Sequence, residues 1–159
     1  MTPNRKLTFY KPNAKCTGAA IRFEVVPANE LDEGYLLVTF ANQVSLGEEG
    51  KFCPRFDWRV GFKLDITEAT KILGVLKGNA ESIDDGKGIF CQTLDGCNAV
   101  FRMRHVIEPT PSYSFEVFKK LPGEREAIHG VILRSADEGL ALEVALEMAL
   151  GLMAWGSNI

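Results

Sequence analysis

The hydrophobic pattern of the chain changes period within one short stretch. In residues 55–64, RFDWRVGFKL, the apolar positions Phe56, Trp58, Val60, Phe62 and Leu64 alternate with polar or small ones, the two-residue period of a strand. From Asp65 the period becomes helical, with Ile66, Ala69, Ile72, Leu73 and Leu76 on one stripe. Asp65 and Glu68 have the spacing of a capping box, and Gly78 is a natural stop. The pattern therefore predicts a strand over 55–64 that runs into a helix over 66–77 without a loop.

The same alternation precedes this unit at 5–10, 17–27 and 34–42, and returns at 87–93, 97–107, 113–120 and 125–134. A second helix is expected from a capping box at Ser135 and Glu138 to about Ala154. Turn residues separate the strands: Lys11-Pro12-Asn13, Leu46 to Gly50, Asp95-Gly96, Pro109 with Pro111, and Pro122-Gly123. Short links make neighbouring strands antiparallel. The expected fold class is α+β: two antiparallel four-stranded sheets with two helices, in the order ββββα-ββββα, forming one domain over 1–159.

The two helices differ. The second carries Leu140, Leu142, Val144, Leu146, Met148, Leu150, Leu152, Met153 and Trp155, and Glu143 and Glu147 leave only a narrow polar stripe. A helix apolar nearly all round needs cover on most sides. Residues 136–155 are therefore expected to be an oligomerising helix. Those two glutamates also break the one long apolar run, short of the about 20 residues that span a bilayer, so no membrane association is expected. Met1 is followed by TPNRKLTFY with no apolar h-region, so no secretory leader is expected and a cytoplasmic location is.

Charge changes the picture through its distribution. The chain of 159 residues has a net charge of −3, yet the predicted strands hold 13 basic and only four acidic residues. Parity sets Arg22 opposite Ile21 and Phe23, sets Arg102 and Arg104 opposite Phe101 and Met103, and sets Arg59 and Lys63 opposite the aromatic positions of 55–64. A basic sheet face with aromatic neighbours suits single-stranded nucleic acid, because cations follow phosphates and rings stack unpaired bases. The candidate phosphate contacts are Lys11, Lys15, Arg22, Arg55, Arg59, Lys63, Arg102 and Arg104, and the candidate stacking residues are Tyr10 and Trp58. Trp58 also has a structural reading, since its parity with Phe56 and Phe62 points to the core.

Catalytic, metal and cofactor chemistry is not expected. Cys16, Cys53, Cys91 and Cys97 form no C-x-x-C pair, and His105 and His129 are far from one another in sequence. Gly86-Lys87-Gly88 is too short for a phosphate-cradling loop and precedes a strand rather than a helix.

Several segments, in their order and spacing, resemble the Whirly family of single-stranded-DNA-binding proteins. Arg55-Phe56-Asp57-Trp58-Arg59 resembles its aromatic-Asp-Trp opening of the fourth strand, and Leu64 to Leu76 resembles its strand-to-helix junction. Tyr35 to Phe40, Ile107-Glu108-Pro109 through Val117, and Leu150 to Trp155 resemble its third strand, Glu-Pro turn with seventh strand, and Trp-ending last helix. The family's Lys-Gly-Lys-Ala-Ala-Leu motif is matched only in part, by Cys16-Thr17-Gly18-Ala19-Ala20-Ile21, which lacks both lysines. The resemblance implies crossed sheets, a homotetramer centred on the last helix, single-stranded DNA bound with little sequence specificity, and a role in transcription or genome maintenance. Two alternatives stay open: RNA binding and annealing, as in guide-RNA-binding proteins of this architecture, and a small-molecule-binding or structural oligomer.

Overall fold

A computed structural model describes residues 5–120 and 126–156. Among these residues, eight strands and two α-helices follow in the expected order: β1 (Arg5–Lys11), β2 (Ala19–Val26), β3 (Tyr35–Ser45), β4 (Arg55–Leu64), α1 (Ile66–Leu76), β5 (Ile89–Gln92), β6 (Asn98–Val106), β7 (Ser112–Lys120), β8 (Glu126–Arg134) and α2 (Leu140–Trp155). The expected link at Pro122-Gly123 and the strand position of Arg125 lie outside the described residues. β1–β4 and β5–β8 form two four-stranded sheets, each antiparallel throughout and in simple sequence order.

Alternation explains the core. One face of the first sheet presents Phe23, Val38, Phe40, Phe62 and Leu64, and one face of the second presents Phe101, Met103, Phe115, Val117 and Leu133, all buried together. Rings pass contact from one sheet to the other: Phe62 lies 5.2 Å from Phe101, Phe40 6.3 Å from Phe101, and Phe23 5.9 Å from Phe115. The two inner faces therefore meet, and the two outer faces point away from each other.

The abrupt passage from β4 to α1 has the expected cause. The Glu68 amide donates to Asp65 Oδ1 at 2.8 Å, and the Asp65 amide donates to Glu68 Oε1 at 3.0 Å, so the box satisfies two otherwise orphaned donors. The second expected box does not form. A five-residue π-helical turn, Ser135–Gly139, leads into α2, and no side chain caps either start. Glu138 instead accepts from the Arg134 amide at 2.9 Å and pairs with the ammonium of Lys11.

α2 buries Leu142, Leu146, Ala149 and Met153 against the sheets. Its far side keeps Leu140, Val144, Met148 and Trp155 exposed, Met148 by 71% and Trp155 by 76%. Lys77 at the end of α1 pairs with Glu147 at 2.5 Å, which ties the two helices together on the narrow polar stripe.

Candidate nucleic-acid interface

Strict alternation along 55–64 does not survive in the structure. Phe40 of β3 faces Val60, but the next residue, Ala41, faces Trp58, so Arg59 is an extra residue on β4. This β-bulge reverses the parity of everything before it. Val60, Phe62 and Leu64 are buried inside, whereas Phe56 and Trp58 turn to the outer face and are only half-buried. The parity reading that placed Phe56 and Trp58 in the core is corrected by this one inserted residue.

On the outer face the register then makes a row: Tyr10 of β1 faces Ala20 of β2, Ala20 faces Ala41 of β3, and Ala41 faces Trp58 of β4. The two alanines are small and fully buried between the ring-bearing edge strands. Tyr10 stands 5.2 Å from Phe56 and 6.4 Å from Trp58, with their planes steeply inclined. Tyr10, Pro54, Arg55, Phe56 and Trp58 line an open pocket of about 510 Å³. Tyr10 is 52% exposed, so an incoming ring can reach this cluster.

Arg22 completes the platform. Its guanidinium lies 3.9 Å from the centroid of the Trp58 ring, and its Nε donates to Thr8 Oγ1 at 3.2 Å. A cation over an indole is an electrostatically favourable stack, and the threonine fixes its direction. Lys63, on the same face, lies 4.6 Å from the Tyr35 ring.

The other candidate residues fall into separate places. Lys15 is exposed on the β1–β2 loop. Buried Gln43 pins that loop: its Oε1 accepts from the amides of Asn13 (2.9 Å) and Gly18 (3.1 Å), and its Nε2 donates to Asn13 O at 3.1 Å. A Cβ at Gly18 would lie 2.3 Å from Lys11 O, so the glycine of the partly matched motif is sterically required. Lys11 is engaged by Glu138, and Arg59 pairs with Asp57 at 2.9 Å. Arg102 and Arg104 lie on the outer face of the second sheet. Among the described residues, Lys15, Arg22, Arg55, Lys63, Arg102 and Arg104 have no carboxylate within ion-pair distance.

Sequence reasoning missed Phe56 as a platform residue because its signal lies in the pairing register, not in the strand itself. Lys119, one of the 13 basic residues on the predicted strands, does not join an outer face. Lys119 is buried on the inner side and bonded to Asp95 of the β5–β6 turn, whose carboxyl is held down to about 2 by the Lys119 and Thr93 hydrogen bonds. Beside it, His129 Nδ1 lies 3.2 Å from Asn42 Oδ1, joining β8 to β3. Burial, with added push from Arg59 and Lys119, holds the His129 imidazole below its ordinary value.

No family model matches the chain, and no curated protein matches it in sequence. Solved structures do. The chain is similar to WHY1 from Arabidopsis thaliana, with a TM-score of 0.68 and 18% identity over 98% of this chain and 88% of that one. It is similar to the trypanosome MRP1/MRP2 structure, with a TM-score of 0.67 and 16% identity over 94% of this chain and 85% of that one. It is also similar to a guide-RNA-binding protein complex bound to a guide RNA, with a TM-score of 0.62 and 18% identity over 94% and 90%. The chain therefore has the Whirly-like fold.

Proposed function

We propose that the chain is a non-enzymatic single-stranded-nucleic-acid-binding protein that works as a homo-oligomer. The observation that carries this is the outer-face platform of Tyr10, Phe56 and Trp58 with Arg22 stacked on it. Bases stack on exposed rings without regard to sequence, and the cations Arg22, Lys15, Arg55 and Lys63, which have no ion-pair partner among the described residues, match a phosphate chain. The structural neighbours support the reading, one of them being a protein bound to guide RNA.

Single-stranded DNA is the ligand we favour, with a place in transcription or genome maintenance in the cytoplasm or nucleoid. The guide-RNA complex among the neighbours favours RNA as the second reading. Self-association is supported by the exposed stripe of Leu140, Val144, Met148 and Trp155 on α2, which repeated copies of the same helix would cover in a closed assembly, a tetramer in our reading.

Titration with oligothymidylate at about 50 mM salt, where phosphate contacts are strongest, tests the function. Saturable binding is expected, quenching Trp58, and Trp58→Ala should weaken it by about 1–3 kcal/mol. Absence of binding at that salt would overturn the reading. Matched DNA and RNA oligomers in competition separate the two ligands, and the solution mass of the same sample reads the oligomer.

A further inference from the structure

We propose that the groove between α2 and the β1–β2 side of the first sheet binds a single-chain carboxylic acid, with the acid group on Arg5 and the hydrocarbon tail along the apolar floor. This site is separate from the nucleic-acid face and does not depend on it.

The register of β1 shows why the site exists. Leu7 and Phe9 lie on the inner side of the sheet, and the next residue of that parity is Arg5. Arg5 faces Val25, Val25 faces Leu36, and Leu36 faces Leu64, so a cation ends an otherwise apolar row on the core side. Inward positions of a sheet normally carry apolar side chains.

α2 covers this side of the sheet only in part. One flank of the helix leans on α1, where Lys77 meets Glu147. On the other flank Ala145, Ala149 and Leu152 stand apart from Leu7, Phe23 and Val25 and leave a groove of about 370 Å³. That size holds a small apolar ligand. The lining is apolar except for Arg5 and Lys6, which start β1 and so place the charge at one end. Among the described residues no acidic side chain lines the groove.

Arg5 Nη1 is buried and has no hydrogen-bond partner, and no carboxylate lies within ion-pair distance of Arg5, among the described residues. A buried guanidinium without an acceptor is costly, and a carboxylate matches its geometry best. The apolar walls favour a hydrocarbon tail, worth about fourfold in affinity for each methylene buried. A second copy of α2 is the poorer occupant, because it brings no free acid: Glu143 and Glu147 pair with Lys77, and Glu138 just before the helix pairs with Lys11. The exposed stripe assigned to self-association shares only Met148 with the groove.

The test is calorimetric titration of the full chain with decanoate below micelle formation, beside octanoate and decanol. One decanoate per protomer is expected, with octanoate about fifteenfold weaker for its two missing methylenes. Decanol, which lacks the acid group, should bind at least about tenfold more weakly than decanoate. Arg5→Met should abolish that preference, and Ala145→Phe, which fills the groove from α2, should remove binding of both. No saturable binding of decanoate, or a preference for decanoate that survives Arg5→Met, overturns the inference. A fall in solution mass as decanoate saturates the chain would show that a second copy occupies the groove and overturn it too. Oligothymidylate affinity should be unchanged by decanoate, because Tyr10 and Trp58 lie on the opposite face of the sheet. Competition between the two would place decanoate on the outer cations and overturn the inference, while the proposed function would stand.

Discussion

The outer faces of the two sheets carry similar equipment reached by different routes. On the second sheet every strand keeps its register, so Phe90 and Phe118 lie outside by simple alternation, opposite Phe101 and Phe115 inside. On the first sheet Phe56 and Trp58 share sequence parity with the buried Val60, Phe62 and Leu64, and only the bulge at Arg59 turns them out. An inserted residue thus lets one strand supply the core from its second half and a binding face from its first. It also gathers Tyr10, Phe56 and Trp58 into a cluster, where the second sheet has only a line of separate apolar side chains. The first face is the better shaped for gripping an individual base.

The largest effect should follow from removing that difference. Deleting Arg59 would restore strict alternation and drive Phe56 and Trp58 towards the inside. Overpacking and loss of the outer row should cost about 3–5 kcal/mol in unfolding free energy, with Trp fluorescence shifting as the indole changes environment. A deletion variant that keeps its denaturant midpoint and oligothymidylate affinity would show that the bulge does not build the platform.

A smaller effect isolates the stacked cation. Arg22→Lys keeps the charge for phosphate but gives up the planar group that lies on Trp58 and the Nε donor to Thr8. Oligothymidylate affinity should fall by about 0.5–1 kcal/mol with an unchanged dependence on salt. Arg102→Lys makes the matching change over Phe118, and its effect should be the weaker because the 4.7 Å stack there is looser than the 3.9 Å stack at Trp58.

The smallest effect concerns the seam between the sheets. His129, buried and held neutral, meets Asn42 across that seam. Because its folded value lies below the ordinary 6.5, the unfolded chain takes up the proton first as the solution is acidified. Stability is therefore full above that ordinary value and declines as pH falls from it towards the folded value. Thermal midpoints measured between neutral and mildly acidic pH should show this decline, and His129→Asn should reduce its slope. An unaltered slope in the variant would assign the decline to other groups.

Most of the fold was legible in the sequence, for local reasons. Strand spacing, turn residues and the Asp65–Glu68 box each act through near neighbours, and they placed the eight strands, α1 and the antiparallel order. The start of α2 was misread because the Ser135-to-Glu138 spacing satisfies a capping pattern, whereas Glu138 is held by Lys11 from a strand 127 residues away. The candidate site was legible in part. Arg22, Lys63, Arg102 and Arg104 read as outward cations from alternation alone, and the structure places them on outer faces. Tyr10 and Trp58 were named as stacking residues, but their meeting, and the role of Phe56, depend on pairing across four strands.

The sequence by itself determined the periods, the turns, the excess of cations on the strands and the apolar last helix, because each follows from spacing along one chain. Only the tertiary structure decided that Arg59 is an extra residue, that Lys119 turns inward to Asp95, that Gln43 fastens the β1–β2 loop, and that the two basic faces look in opposite directions. Those outcomes depend on which residue of one strand hydrogen-bonds to which residue of another. That register is fixed by packing the whole core, and no single segment contains it.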